Sequence, residues 1–214
     1  MCSFLDSRNI SIALMLHLPP RARSHGVRQR LRSKPHTKRG HTQADRDAPA
    51  LAPRHETLDC TTDGGLALKV RDTGKLRLII QQSGTSSETI TSNTTISTGV
   101  WHHVAGVFDG SQKRLYIDGV LDKTLSSTYS PATGSSNLFI GASPDGTNKL
   151  NGLIDEVRVT ARAVYSASFT AQHRLTGVVD TKGLWRFDRQ NAKDCADIHN
   201  GTLVGGATFS SSVP

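Results

Sequence analysis

Trp101-His102-His103-Val104-Ala105-Gly106-Val107-Phe108-Asp109-Gly110 is followed, three residues on, by Arg114-Leu115-Tyr116-Ile117-Asp118-Gly119-Val120-Leu121. Both runs are rich in β-branched and aromatic residues, and each contains an Asp-Gly pair, a dipeptide that readily adopts the positive φ of tight turns. The stretch predicts an antiparallel hairpin. Side chains alternate across a strand, so Val104 and Phe108 share one face of the first strand, and Leu115 and Ile117 share one face of the second. These four are the expected core of the hairpin. Upstream, Gly65-Leu66-Ala67-Leu68-Lys69-Val70 and Lys75-Leu76-Arg77-Leu78-Ile79-Ile80 flank an Asp72-Thr73-Gly74 turn and alternate apolar with polar, as half-buried strands do. The fold class is all-β.

Further along, Asn137-Leu138-Phe139-Ile140-Gly141 reads as a short strand ending in glycine, and Leu150-Asn151-Gly152-Leu153-Ile154-Asp155-Glu156-Val157-Arg158-Val159 as a longer one. With W-H-H-V-A, the D-G turn and L-Y-I-D-G-V in this order and spacing, the chain resembles the laminin-G-like jellyroll domains of the concanavalin A-like lectin/glucanase superfamily. That resemblance implies a two-sheet antiparallel jellyroll sandwich over about residues 61–172. In such domains Trp101, His102, His103, Asp118, Gly119, Asp155 and Glu156 form the structural signature.

The resemblance leaves the front of the sandwich unaccounted for, because no opening strand is evident before Cys60. Gly183-Leu184-Trp185-Arg186-Phe187-Asp188 and His199-Asn200-Gly201-Thr202-Leu203-Val204-Gly205-Gly206-Ala207 look like the opening of another such domain. The expected organisation is a disordered basic leader over 1–58, an incomplete jellyroll over 59–172 and a linker over 173–182. Residues 183–214 are then the start of a second repeat, or strands that fold back to complete the first.

The net charge is +8, and residues 1–60 hold 11 Lys and Arg against 5 Asp and Glu, so most of the excess sits in the leader. The leader is crowded with Arg, His, Pro and Ser and has Phe4 as its sole aromatic, which is the composition of a solvated arm. Binding of single-stranded nucleic acid would call for aromatics interleaved with the basic residues, and residues 28–39 have none, so nucleic acid is not an expected partner. Ile10-Ser11-Ile12-Ala13-Leu14-Met15-Leu16-His17-Leu18 has the length of a signal-peptide apolar region behind Arg8. Pro19-Pro20-Arg21-Ala22-Arg23 offers no small-x-small cleavage site, however, and Asp6 precedes the run. No stretch reaches the ~20 apolar residues of a membrane-spanning helix. The three cysteines, Cys2, Cys60 and Cys195, show no C-x-x-C spacing; Cys60 and Cys195 are a pair only if the chain is exported.

Catalytic apparatus is not visible. Glucan-hydrolysing relatives carry acids at alternating strand positions, whereas Asp155 and Glu156 are adjacent and are expected on opposite faces, with Leu153, Val157 and Arg158 where partners would be needed. His102 and His103 likewise diverge along a strand, one expected inside with a backbone partner and the other in water. No nucleophile elbow or phosphate-binding loop occurs. The resemblance admits calcium as the one candidate cofactor, with Asp109, Asp118, Asp122 and Asp145 as the oxygen donors; the other reading of each is a turn-capping aspartate. The expected function is non-enzymatic binding or adhesion through rim loops, with carbohydrate or an extracellular protein as ligand. The alternative is an accessory domain fragment of a larger secreted glycosidase or cell-surface protein. Either places the chain outside the cell or at its surface.

Overall fold

The computed structural model describes residues 9–20, 56–59 (backbone), 65–82, 86–129, 131–132, 137–195, 199–212 and 214. They form two antiparallel sheets. The strands are β1 (Ile10–His17), β2 (Glu56–Asp59), β3 (Gly65–Val70), β4 (Lys75–Gln81), β5 (Ser87–Thr95), β6 (Trp101–Phe108), β7 (Gln112–Ile117), β8 (Val120–Ser126), β9 (Phe139–Ile140), β10 (Leu153–Thr160) and β11 (Thr181–Trp185). One sheet runs β11-β10-β1-β6-β7-β8 and the other β5-β4-β3-β2-β9. The fold is the jellyroll sandwich expected from the hairpin.

The hairpin lies as the alternation predicts. Val104 opposes Ile117 and Gly106 opposes Leu115, and Val104, Phe108, Leu115 and Ile117 all join the core between the sheets. Gly106 permits the close approach of the opposite sheet, since a Cβ there would lie 2.9 Å from Leu68 Cδ1 and 3.0 Å from Leu78 Cδ1.

The front of the sandwich departs from expectation. The opening strand is present within the supposed leader: Ile10–His17 is β1, hydrogen-bonded to β6 on one side and β10 on the other. Its even-numbered residues Ile10, Ile12, Leu14 and Leu16, and Leu18 just past it, enter the inter-sheet core. On its other face Ser11, Ala13 and Met15 are also buried. A strand covered on both faces has no polar alternation, which is why this run reads from sequence as a plain apolar stretch. Residues 21–55, with the basic run at 28–39, lie outside the described residues, as do Cys2 and Cys60.

The outer face of the six-stranded sheet is covered by residues 161–180, a wrap of bends and turns between β10 and β11. Tyr165, Phe169 and Leu175 from the wrap pack with Ala13, Ala105, Val107, Tyr116 and Leu184 from the sheet. The Tyr165 and Phe169 rings stack 3.8 Å apart. Ser11 fastens the wrap, its Oγ donating to Arg162 O at 2.7 Å and accepting from Val164 N at 2.8 Å. At the far edge β11 pairs with β10, Trp185 opposite Val157, and Trp185 is buried with its Nε1 donating to His199 O.

Leu14→Ala in the intact chain is expected to cost about 2–5 kcal/mol, the range for emptying a buried leucine site. Urea unfolding monitored by tryptophan fluorescence measures it. A change near zero would return residues 10–17 to a solvated leader.

Candidate functional site

Antiparallel register sets a row of residues across the outer face of the sheet. His103 opposes Met15, and Met15 opposes Asp155. Asp118 lies just past β7, with φ of 52°. Residues 171–173 of the wrap pass over this end of the sheet and leave a cavity of about 270 Å³ between wrap and strands. Met15 and His103 line it from the sheet, Trp101 and Asp118 from the strand ends, and Ala171, Gln172 and His173 from the wrap.

The turn that carries Asp118 is held in several directions. Asp118 Oδ1 accepts from His103 N at 3.0 Å, and Asp118 Oδ2 lies 2.7 Å from His102 Nδ1. Ser97 Oγ meets His102 Nε2 at 2.7 Å. The wrap comes directly onto the turn at Gly119, where φ is 78° and Phe169 N donates to Gly119 O at 2.8 Å. A Cβ on Gly119 would sit 2.1 Å from Phe169 O, so no other residue fits there.

The two histidines diverge as expected, but their surroundings differ from the expectation. His102 is not free in water; it is pinned between Ser97 and Asp118. His103 is 2% exposed, and neither ring nitrogen has a hydrogen-bond partner. Its ring meets those of Phe169 and Tyr165 edge-on, with centroids 5.4 and 6.2 Å away. A buried polar atom without a partner costs on the order of 1–3 kcal/mol. Sequence reasoning could pair the histidines with opposite faces but could not foresee that the outer face is roofed.

Asp155 and Glu156 depart from the sequence reading as well. Leu14 opposes Val157 and Met15 opposes Asp155, so Glu156 is an extra residue at a bulge. Ile154 and Val157 both pack towards the inter-sheet core. The two acids therefore both leave on the outer side, not on opposite faces. Glu156 accepts from Leu175 N and lies 4.0 Å from Arg174 Nη1. Burial pushes both carboxyls above the usual carboxylate range. Two residues on, Arg158 donates to Thr176 O at 2.9 Å and to the Tyr165 hydroxyl at 2.6 Å. Glu156 and Arg158 together anchor the wrap.

The four candidate calcium ligands lie apart: Asp109, Asp118 and Asp145 in separate turns, and Asp122 within β8 and not in the turn expected of it. Asp109 Oδ1 accepts from Ser111 N and Gln112 N, and its Oδ2 meets Arg114 at 2.6 Å. Asp122 accepts from Asn93 N at 2.6 Å and Thr94 N at 2.8 Å. Asp145 accepts from Thr147 N at 2.9 Å, and Asp118 is bound as described. Among the described residues, no three His, Cys, Asp or Glu side chains come together as a metal site would need. Among the same residues, no helix is long and apolar enough to cross a membrane.

Fold and geometry together define a concanavalin A-like lectin/glucanase sandwich. Residues 43–168 match the Laminin_G_3 family of that superfamily, and the chain belongs to it. β1 lies outside the matched residues. No curated protein matches the chain. A proposed carbohydrate-binding protein of Bacteroides ovatus shares the fold with a TM-score of 0.57 at 14% identity, covering 96% of this chain and 56% of that one. The chain thus spans little more than half of that protein. The CBM40 domain of Ruminococcus gnavus IT-sialidase superposes with a TM-score of 0.50 at 12% identity, over 74% of this chain and 78% of that one.

Burial, aided by the Arg158 charge, pushes the His103 imidazole down from 6.5 to about 4. The unfolded chain then takes up a proton that the folded chain refuses, so stability is full above about pH 6.5 and falls as the pH drops towards 4. The loss over that window is expected to be about 3 kcal/mol, since each tenfold change in proton affinity is worth ~1.4 kcal/mol. The raised carboxyls of Asp155 and Glu156 act oppositely, favouring the fold as they protonate. Urea unfolding at a series of pH values, with His103→Phe beside the natural chain, isolates the histidine: the difference between the two should track this window, and parallel curves would refute it.

Proposed function

We propose that this chain is a non-catalytic carbohydrate-binding module, acting outside the cell or at its surface, with the roofed cavity at Trp101, Asp118 and Gln172 as its binding site. The observation that carries the reading is the chemistry of that cavity. An aromatic ring stands beside an amide, a carboxylate and an imidazole, which is the mix of one apolar surface and a few fixed hydrogen-bonding groups that binds small polar molecules. Glycoside hydrolysis normally needs two carboxyls facing each other across the bond to be cut. Asp118 is the one acid in the lining, and both of its oxygens are already engaged by His102 and the His103 backbone. Asp155 and Glu156 are 8% and 2% exposed, too enclosed to meet a sugar chain.

The sugar-binding descriptions of the Bacteroides ovatus and Ruminococcus gnavus structures support the same class of ligand. On this reading the chain is one sandwich, with Thr181–Trp185 completing it, and could serve as an accessory module of a larger secreted protein. Asp109 and Asp145 act as turn caps, Asp118 and Asp122 tie their segments to amides elsewhere in the chain, and binding needs no calcium.

A glycan array and affinity electrophoresis on soluble polysaccharides test the reading. Retention on at least one carbohydrate is expected, unchanged by EDTA and without release of reducing sugar. Reducing-sugar release that disappears in Asp118→Asn would make the chain an enzyme; absence of binding to every carbohydrate would reject the module.

A further inference from the structure

We propose that the cavity selects an amino sugar, a sugar unit whose ring carries a free ammonium group, with the Asp118 carboxylate as the partner of that charge and the Trp101 ring beside it. This rests on the carbohydrate-binding reading above and names the class of sugar that the same site takes.

The charge on the cavity wall has one sign. Among the lining residues Asp118 is the only acid, and none is a Lys or Arg. The Asp118 side chain is 50% exposed, so its carboxylate is open to a ligand, unlike the enclosed Asp155 and Glu156. Burial pushes the His103 imidazole down to about 4, so His103 brings no positive charge to the cavity at neutral pH. Arg158 is committed to the wrap, through Thr176 O and the Tyr165 hydroxyl.

The carboxylate is held in place and still has room for donors. Its Oδ1 accepts from His103 N, and its Oδ2 lies 2.7 Å from His102 Nδ1, while Ser97 Oγ meets His102 Nε2. With Ser97 donating to Nε2, a neutral imidazole donates from Nδ1 to Asp118, and the three groups together carry one negative charge. A carboxylate has about four lone-pair sites, of which these bonds occupy two.

An ammonium group answers this wall better than a hydroxyl does. It brings three N–H donors and a full charge, where a hydroxyl in its place brings one donor and none. The roof of residues 171–173 keeps water from one side, and a charge pair in a partly enclosed site is stronger than one on open surface. Trp101 is the ring type that attracts cations best, and it is braced by the His17 ring 5.4 Å away. The exposed Gln172 supplies an amide for the hydroxyls of the same ring. The cavity, of about 270 Å³, lies just below the usual range of ligand pockets and so suits one sugar ring. Acidic sugars meet a charge of their own sign.

Calorimetric titration of the intact chain compares D-glucosamine with D-glucose, which carry an ammonium and a hydroxyl on the same ring carbon. N-acetyl-D-glucosamine, N-acetylneuraminic acid and cyclohexylamine complete the set. Glucosamine is expected to bind about tenfold more tightly than any of the others, the worth of a charge-assisted hydrogen bond, and to weaken as salt is raised. Asp118→Asn keeps an acceptor for the His103 amide and removes the charge; it should bring glucosamine down to the level of glucose. Gln172→Lys sets an ammonium group at an exposed lining position without touching the bonds that hold Asp118. It should have the same effect, and it decides the matter if Asp118→Asn unfolds. Glucose bound as tightly as glucosamine, or a glucosamine preference that survives Gln172→Lys, would overturn the selectivity while leaving the carbohydrate module standing. Retention on polysaccharides with no response to glucosamine would do the same. Cyclohexylamine bound as tightly as glucosamine would make this a site for organic cations and overturn the sugar assignment. No carbohydrate binding of any kind would remove both readings.

Discussion

The structure depends on a strand with no polar face. Every residue of β1 up to Leu16 is buried, those on one side between the sheets and those on the other against the outer surface of its own sheet. An apolar strand in the middle of a sheet must be covered twice, and the second sheet covers it only once. The wrap over residues 161–180 is the other cover. Because it crosses the strand ends near Trp101 without filling them, it also makes the cavity. The demand of one hydrophobic strand thus creates both a second small core and the site.

What holds a wrap without regular structure is a set of side-chain anchors to its backbone. Glu156 takes the amide of Leu175, Arg158 takes the carbonyl of Thr176, and Arg186 takes the carbonyl of Leu175 at 3.1 Å. Buried backbone groups in an irregular segment need such partners, since no ladder supplies them. The bulge at Glu156 sets this up. By adding one residue to β10 it turns two successive acids outward, Glu156 into the wrap and Asp155 beside Met15. Their desolvation is unfavourable, and the Glu156 contacts to Leu175 and Arg174 offset part of it. Arg158 also sits over the Tyr165 ring at 5.7 Å, so the anchor and the aromatic stack support each other.

Turn signals together with β-rich composition revealed the hairpin of Val104, Phe108, Leu115 and Ile117 and the pair β3 and β4, and they stand where the pattern places them. Of these only β4 alternates strictly in burial; in the hairpin Ala105, Val107 and Tyr116 are covered as well. The reading fails for a run covered on both faces with no turn signal leading to a partner. Ile10-Ser11-Ile12-Ala13-Leu14-Met15-Leu16 has the right composition for a central strand, but a short apolar run carries no mark of the partners that will enclose it. The relation of Asp155 to Glu156 was hidden for another reason: alternation assumes an unbroken ladder, and a bulge is fixed by the facing strand, here at Leu14 and Met15. That one of His102 and His103 is enclosed was legible from their adjacent places on a strand. That it is His103, with no partner for its ring, arises from contacts with Tyr165 and Phe169, far along the chain, and no local pattern encodes it.

The position of β1 has a consequence for how the chain reaches this state. Leu14 stands between Val104 and Val157, so β1 leaves the ribosome well before either of the strands it pairs with. At ~5–20 residues per second, synthesis leaves this apolar segment waiting for many seconds before β10 can exist. Its pairings are also far apart in sequence, which places them among the slow contacts of a folding reaction. Until they form, β6 and β10 each present an open edge at the middle of the unfinished sheet, where a second copy's Ile10–His17 fits as well as the chain's own. Exchange of this one strand between molecules is the characteristic error that the topology invites.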